Sequence, residues 1–171
     1  MRIRRVIGVV GIISLILVGV GGYSFAADQA APLEIIQKVK DAANALEKSK
    51  GSNLADFNNP KGPWVFKDTY VYVQDCGKGT MAAHPFASKL VGKNVTGLQD
   101  VKGNFITAQI CASGKKPGGS WVEYWFPKPG EKNPSRKVSY ALQVPGTSLV
   151  ATAGIYSETL KVEDLDMLLK K

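Results

Sequence analysis

The residues best suited to chemistry lie in a few short runs. Tyr70 and Tyr72 stand two apart in Thr69-Tyr70-Val71-Tyr72-Val73; Trp121, Glu123 and Trp125 alternate with Val122, Tyr124 and Phe126; Lys137, Ser139 and Tyr140 lie close together. In extended chain, side chains two apart share a face. Tyr70 and Tyr72 therefore present two phenols to one surface, where they either wall a pocket with apolar sides and a few polar points or fill the sheet as half-exposed aromatics. Lys137 and Ser139 share a face, and Tyr140 points the other way unless the strand bulges. A lysine at a pocket mouth supplies the charge-assisted hydrogen bonds that a carboxylate needs on leaving water; a solvated lysine would simply begin the strand. In the tryptophan-rich run both faces are covered, one by core and the other by a pocket or a helix. Trp121 and Tyr124 are candidates from either side.

His84 is the only histidine, and it sits beside Pro85 at a strand end. A metal site takes three or four ligands, and no thiol or carboxylate cluster accompanies His84, so no metal is expected and the imidazole is either structural or a pocket edge. A hydrolase needs a nucleophile with an oriented base, and none surrounds this histidine; phosphate loops and dinucleotide fingerprints are also absent. The expectation is a protein that is not an enzyme and carries no cofactor. Cys76 and Cys111 either pair, closing a loop of about 35 residues, or stay as two buried thiols.

The elements that must position these residues follow from periodicity. Across 32–50, Leu33, Ile36, Val39, Ala43 and Leu46 recur at helical steps behind Pro32, and Gly51 stops the run. Thr69 to Val73 and Thr80 to His84 flank a glycine-rich turn and read as a hairpin. Gly103 to Ala112 reads as a short helix capped by Asn104 or a neighbour. Gly119 to Phe126, Lys137 to Val144 and Ser148 to Tyr156 are three strands parted by Pro-Gly turns. A closing helix covers 158–169, with Leu160, Leu165, Leu168 and Leu169 on its apolar side. The fold class is α+β: a five-stranded antiparallel sheet of PAS-like outline with a long N-terminal helix.

The 171 residues, 44% hydrophobic and 21% charged, suit one globular core. Residues 1–27 carry three arginines, an uncharged run and a small-residue end, the pattern of a signal peptide cut after Ala26 or Ala27, with an uncleaved anchor as the alternative. Either way residues 28–171 are exported to the periplasm or beyond. Without Arg2, Arg4 and Arg5 the formal +8 falls to +5, and the remaining lysines are scattered, so no nucleic acid partner is expected.

Gly62-Pro63-Trp64-Val65-Phe66, Tyr70-Val71-Tyr72-Val73, His84-Pro85 with Leu90-Val91-Gly92-Lys93-Asn94, Gly119 to Pro127, Lys137-Val138-Ser139-Tyr140 and Gly154-Ile155-Tyr156 together resemble the single Cache domain, type 2. The resemblance runs from about Ala31 to Glu158. It implies an extracytoplasmic, PAS-like sensor domain that binds a small organic acid or similar metabolite. It also puts His84 at a pocket edge, beside Tyr70, Tyr72, Trp121, Tyr124, Lys137, Ser139 and Tyr140, which alternation and side-chain chemistry make candidate ligand contacts. Relatives usually sit between two membrane spans and feed an output module. This chain reaches Lys171 without either, so signalling is expected to pass through a membrane-bound partner. The alternative is a domain that docks a protein and has no small-molecule ligand. Members of the family usually carry an acidic, cysteine-free turn in the first hairpin, which makes a Cys76–Cys111 staple a local feature.

Overall fold

The structure is a computed structural model that describes residues 29–170. The expected export segment, 1–27, lies outside the described residues.

Helix α1 spans Pro32–Lys48 and buries Ile35, Ile36, Val39, Ala42, Ala43 and Leu46. Pro32 opens it, and the Glu34 carboxylate accepts the Ala31 N–H at 2.8 Å, satisfying a donor that a helix start leaves free. It ends two residues earlier than expected because the chain turns left-handed at Lys50 and Gly51. Leu33, expected on the apolar stripe, is 63% exposed, and Ile35 takes its place.

The strands are β1 (Val65–Phe66), β2 (Thr69–Asp75), β3 (Thr80–Ala83), β4 (Ser120–Pro127), β5 (Pro134–Gln143) and β6 (Leu149–Tyr156). All pairings among them are antiparallel, in the order β1-β2-β6-β5-β4, with β3 also paired to β2. The five expected strands are present. The sixth, β1, is too short to leave a periodic signal in the sequence.

Two other boundaries move for local reasons. Helix α2 spans Ile106–Gly114 and starts three residues later than expected. Asn104 does not cap it, because its side-chain amide donates to Asp100 at 3.0 Å while Gly103 takes φ +82°. Helix α3 spans only Val162–Met167, followed by a 3-10 turn at Leu168–Lys170. The residues before it are held in a bend by Ser157 Oγ, which accepts the N–H groups of Thr159 and Leu160.

The pleat divides the sheet into two faces. Val71, Val73, Val138, Tyr140, Ala151, Ala153 and Ile155 pack with α1 and with Leu165 of α3. Tyr70, Tyr72, Val122, Tyr124, Ala141 and Val150 face the other way, under Ile106 and Ile110 of α2. The free edge of β4 is covered by carboxylates: Asp166 accepts the Trp121 N–H at 2.9 Å and Asp100 the Trp125 N–H at 3.1 Å. Those donors would otherwise invite another strand.

Cys76 and Cys111 are bridged, with Cα atoms 5.8 Å apart. The bond ties the β2–β3 turn to α2, so it fixes the helix that roofs the second face. Replacing both cysteines with alanine is expected to lower the unfolding free energy by about 3 kcal/mol. Urea unfolding checks this: reductant should bring the wild-type curve down to that of the variant and leave the variant unmoved.

Candidate ligand-binding site

Three strands converge on one lysine. Lys137 in β5 lies opposite Tyr124 of β4 and Tyr156 of β6, while Tyr72 of β2 lies opposite Thr152. Because Lys137 shares the α2 face of the sheet, its side chain is fully buried, and its Nζ has no hydrogen-bond partner among the described residues. What surrounds the ammonium is aromatic: Nζ lies 4.0 Å from the centre of the Tyr70 ring, 4.9 Å from that of Tyr156 and 5.7 Å from that of Tyr72. The negative faces of the rings attract the cation but do not replace its lost hydration. Burial therefore pulls the Lys137 pKa down to about 7, with the Asp68 carboxylate acting in the opposite direction.

Beside the ammonium runs a chain of hydroxyl groups. Tyr72 and Tyr124 share a hydrogen bond at 2.8 Å, and Tyr124 and Ser139 share another at 2.9 Å. Burial pushes the Tyr70 and Tyr72 phenols well above their ordinary range and the Tyr124 phenol up to about 12, so all three remain neutral donors. Gly154, opposite Ser139, makes room for this chain: a Cβ there would stand 2.1 Å from Ser139 Oγ and 2.6 Å from the Val138 carbonyl.

His84 closes the wall. Its ring centre lies 4.9 Å from Tyr70, 5.3 Å from Tyr72 and 6.0 Å from Phe126. The Nδ1 atom accepts the N–H groups of Phe86 and Ala87 at 3.1 and 2.9 Å, which places the imidazole proton on Nε2. Burial, with Lys137 nearby, takes the His84 pKa down to about 3, so the ring is neutral.

Six sequence candidates, Tyr70, Tyr72, His84, Tyr124, Lys137 and Ser139, are thus brought together. Trp121 and Tyr140 are not. Both belong to the opposite face, where their rings lie 5.7 Å apart and the Tyr140 hydroxyl donates to the Gly118 carbonyl at 2.5 Å. Alternation is the reason: Trp121 is out of phase with Tyr124, and Tyr140 with Lys137 and Ser139. Sequence reading missed Tyr156 and Gln74. Tyr156 is visible only through its register against Lys137; Gln74 continues the same-face series Tyr70, Tyr72, Gln74.

Three spaces adjoin the cluster among the described residues, one of them a pocket of about 190 Å3 beside Tyr70, His84 and Phe126. An inner cleft of about 10 Å3, among Tyr72, Gln74, His84, Tyr124 and Phe126, holds no more than a water molecule. An outer cavity of about 400 Å3 opens beyond Tyr70 and Tyr156, between Asp68, Phe86, Lys128 and Glu131. The two rings stand between the buried ammonium and this cavity.

Comparison with known proteins agrees with this architecture. A 96-residue stretch is 26% identical to the methyl-accepting chemotaxis protein McpP of Pseudomonas putida, covering 56% of this chain and 18% of that protein. The chain thus spans a small part of that relative. Among solved structures, a Cache chemosensory domain studied for carboxylic acid recognition superposes with a TM-score of 0.61 at 22% identity, over 74% of this chain and 91% of that one. A periplasmic sensor domain of a chemotaxis protein gives 0.58 at 22% identity, over 72% and 93%. A methyl-accepting chemotaxis protein from Vibrio parahaemolyticus gives 0.58 at 24% identity, over 78% and 87%. These three share the fold. The sequence profile of Single Cache domain 2 matches residues 24–170, and with that match over most of its length the chain belongs to the Single Cache domain 2 family.

Proposed function

We propose that this chain is an extracytoplasmic sensor domain that binds a small carboxylate at Lys137 and passes the signal to a membrane-bound partner, with residues 1–27 serving as its export signal. The observation that carries this reading is a fully buried ammonium with no hydrogen-bond acceptor among the described residues. Leaving a buried charge without hydrogen bonds is costly, and a carboxylate is the partner that removes the cost through short, charge-assisted bonds. The solved Cache domain studied for carboxylic acid recognition shares this fold and supports the same ligand class.

The residues around Lys137 fit separate tasks in binding. Tyr70 and Tyr156 hold the ammonium by their π faces and must swing aside as an anion enters from the outer cavity. Of the two hydrogen-bonded phenols of Tyr72 and Tyr124 one has a proton to donate outward, and with the Nε2–H of His84 it is a neutral donor able to share the second carboxylate oxygen. None adds a charge, so Lys137 with its ligand would form one neutral pair inside the protein.

The charge of Lys137 also sets a pH dependence. Its pKa is about 7 in the folded chain against 10.5 for the ordinary side chain. Between those values the unfolded chain holds the extra proton, so Lys137 makes stability rise with pH through this window; below it the full cost of the buried charge remains. Lys137→Met removes that charge with little change in volume. The ligand-free variant is expected to be more stable than wild type by a few kcal/mol at about pH 6, with the gap closing towards about pH 9. Paired urea unfolding series at the two pH values check this, and a gap that widens with pH overturns it. A carboxylate needs the ammonium form, so above pH 7 binding should take up a proton and affinity should fall with rising pH, by at most about tenfold per unit.

Thermal unfolding of the purified chain against a panel of short carboxylates, amino acids and amines tests the ligand class. A ligand at about 100 times its dissociation constant should add roughly 2.7 kcal/mol of stability. Carboxylates should raise the melting temperature of wild type, leave Lys137→Met unmoved and act more weakly on Tyr72→Phe. A carboxylate effect that survives unchanged in Lys137→Met would overturn the assignment, and no effect across the panel would favour a domain that docks another protein.

A further inference from the structure

The two rings between Lys137 and the outer cavity are held in different ways. Tyr70 is 1% exposed and wedged among aromatic neighbours, its ring centre 4.9 Å from that of His84 and 5.1 Å from that of Phe86. Tyr156 is half-buried at the end of β6, and a single side-chain hydrogen bond fixes it: its hydroxyl donates to the Pro127 carbonyl at 2.7 Å. Pro127 ends β4 opposite Pro134, which has no N–H to offer that carbonyl, so the acceptor is free for a side chain. Burial raises the Tyr156 pKa, and the phenol keeps the proton it donates.

Tyr156 therefore touches both the site and its rim. Its ring centre lies 4.9 Å from Lys137 Nζ and 6.0 Å from Lys128 Nζ, while its hydroxyl is bonded at the start of the β4–β5 turn. Lys128, Pro129 and Glu131 of that turn line both the outer cavity and the pocket of about 190 Å3 beside it. A flip of the ring about its long axis leaves the phenol oxygen in place and the path closed. Clearing the path takes a change of χ1 from one staggered well to another, which carries the oxygen away from Pro127.

We infer that the hydrogen bond from Tyr156 to Pro127 is a latch on the Lys137 site: it holds the Tyr156 ring over the ammonium, and breaking it opens the way from the outer cavity. Tyr156 is thus a positioning residue that sets how often Lys137 is reached, and it does so through the β4–β5 turn. The inference rests on the reading of Lys137 as the ligand's partner, but access to the amine can be measured with no ligand present, so the two readings fail separately.

Reductive methylation of the purified chain with formaldehyde and a borane at about pH 8, followed lysine by lysine by mass spectrometry, reads that access. Tyr156→Phe keeps the ring and removes the latch. Its Lys137 should be methylated roughly two- to tenfold faster than in wild type, the factor one hydrogen bond is worth, while exposed Lys40 and Lys93 react at unchanged rates. Ile155→Val separates access from unfolding: Ile155 is buried on the α1 face, so trimming it lowers stability without touching the latch, and Lys137 should react as in wild type. Equal rates at Lys137 in wild type and Tyr156→Phe, or a rise of the same size in Ile155→Val, would overturn the inference. Methylation of wild-type Lys137 no faster than whole-chain unfolding allows would overturn it without any variant.

Discussion

The arrangement of the α2 face depends on one interaction, the burial of the Lys137 ammonium among tyrosine rings. Removing a cation from water costs far more than three ring faces return. The chain carries that cost because the rest of the fold is secured elsewhere. Behind Lys137 and Ser139, Val138 and Tyr140 are fully buried against the α1 side. In front, α2 is tied to the first hairpin by the Cys76–Cys111 bridge. A strand clamped on one face can hold an unsatisfied charge on the other, which is how binding sites trade stability for a preset geometry.

The same pleat that separates core from site also explains what could be read without a structure. Alternation alone told Lys137 and Ser139 apart from Tyr140, and Tyr70 and Tyr72 apart from Val71 and Val73. It could not say which face of β4 held the core, because both Trp121 and Tyr124 are large and both are buried. That choice is fixed by which side α1 lies on, a tertiary fact with no local signature. Tyr156 escaped notice for a related reason: it sits at the end of its strand, and only the register of β6 on β5 sets it against Lys137.

Element ends were harder to read than elements. Periodicity located α1, both hairpin strands and the three-stranded meander, because each buries a face that a sequence pattern must supply. Their limits are decided by single side chains competing for backbone groups. Asp100 engages Asn104 and delays α2; Ser157 holds Thr159 and Leu160 and delays α3. The pairing of Cys76 with Cys111 was one of two open outcomes for the same reason: the approach of their Cα atoms depends on how α2 crosses the hairpin, and the spacing of the two residues does not contain that.

An internal carboxylate would have been the simplest way to stabilise Lys137, and the lack of one at bonding distance among the described residues bears on the proposed function. A fixed Asp or Glu at bonding distance would form the bond a ligand is meant to form, and an incoming anion would have to break it. Ring faces are weaker placeholders, worth about 2 kcal/mol when desolvated, and an incoming anion displaces them more cheaply than it would a carboxylate. His84, held neutral by burial, and the high-pKa phenols add donors without adding charge. The site therefore presents a single positive charge with neutral donors beside it, which matches a monoanion and penalises a dianion, whose second charge would be buried unpaired.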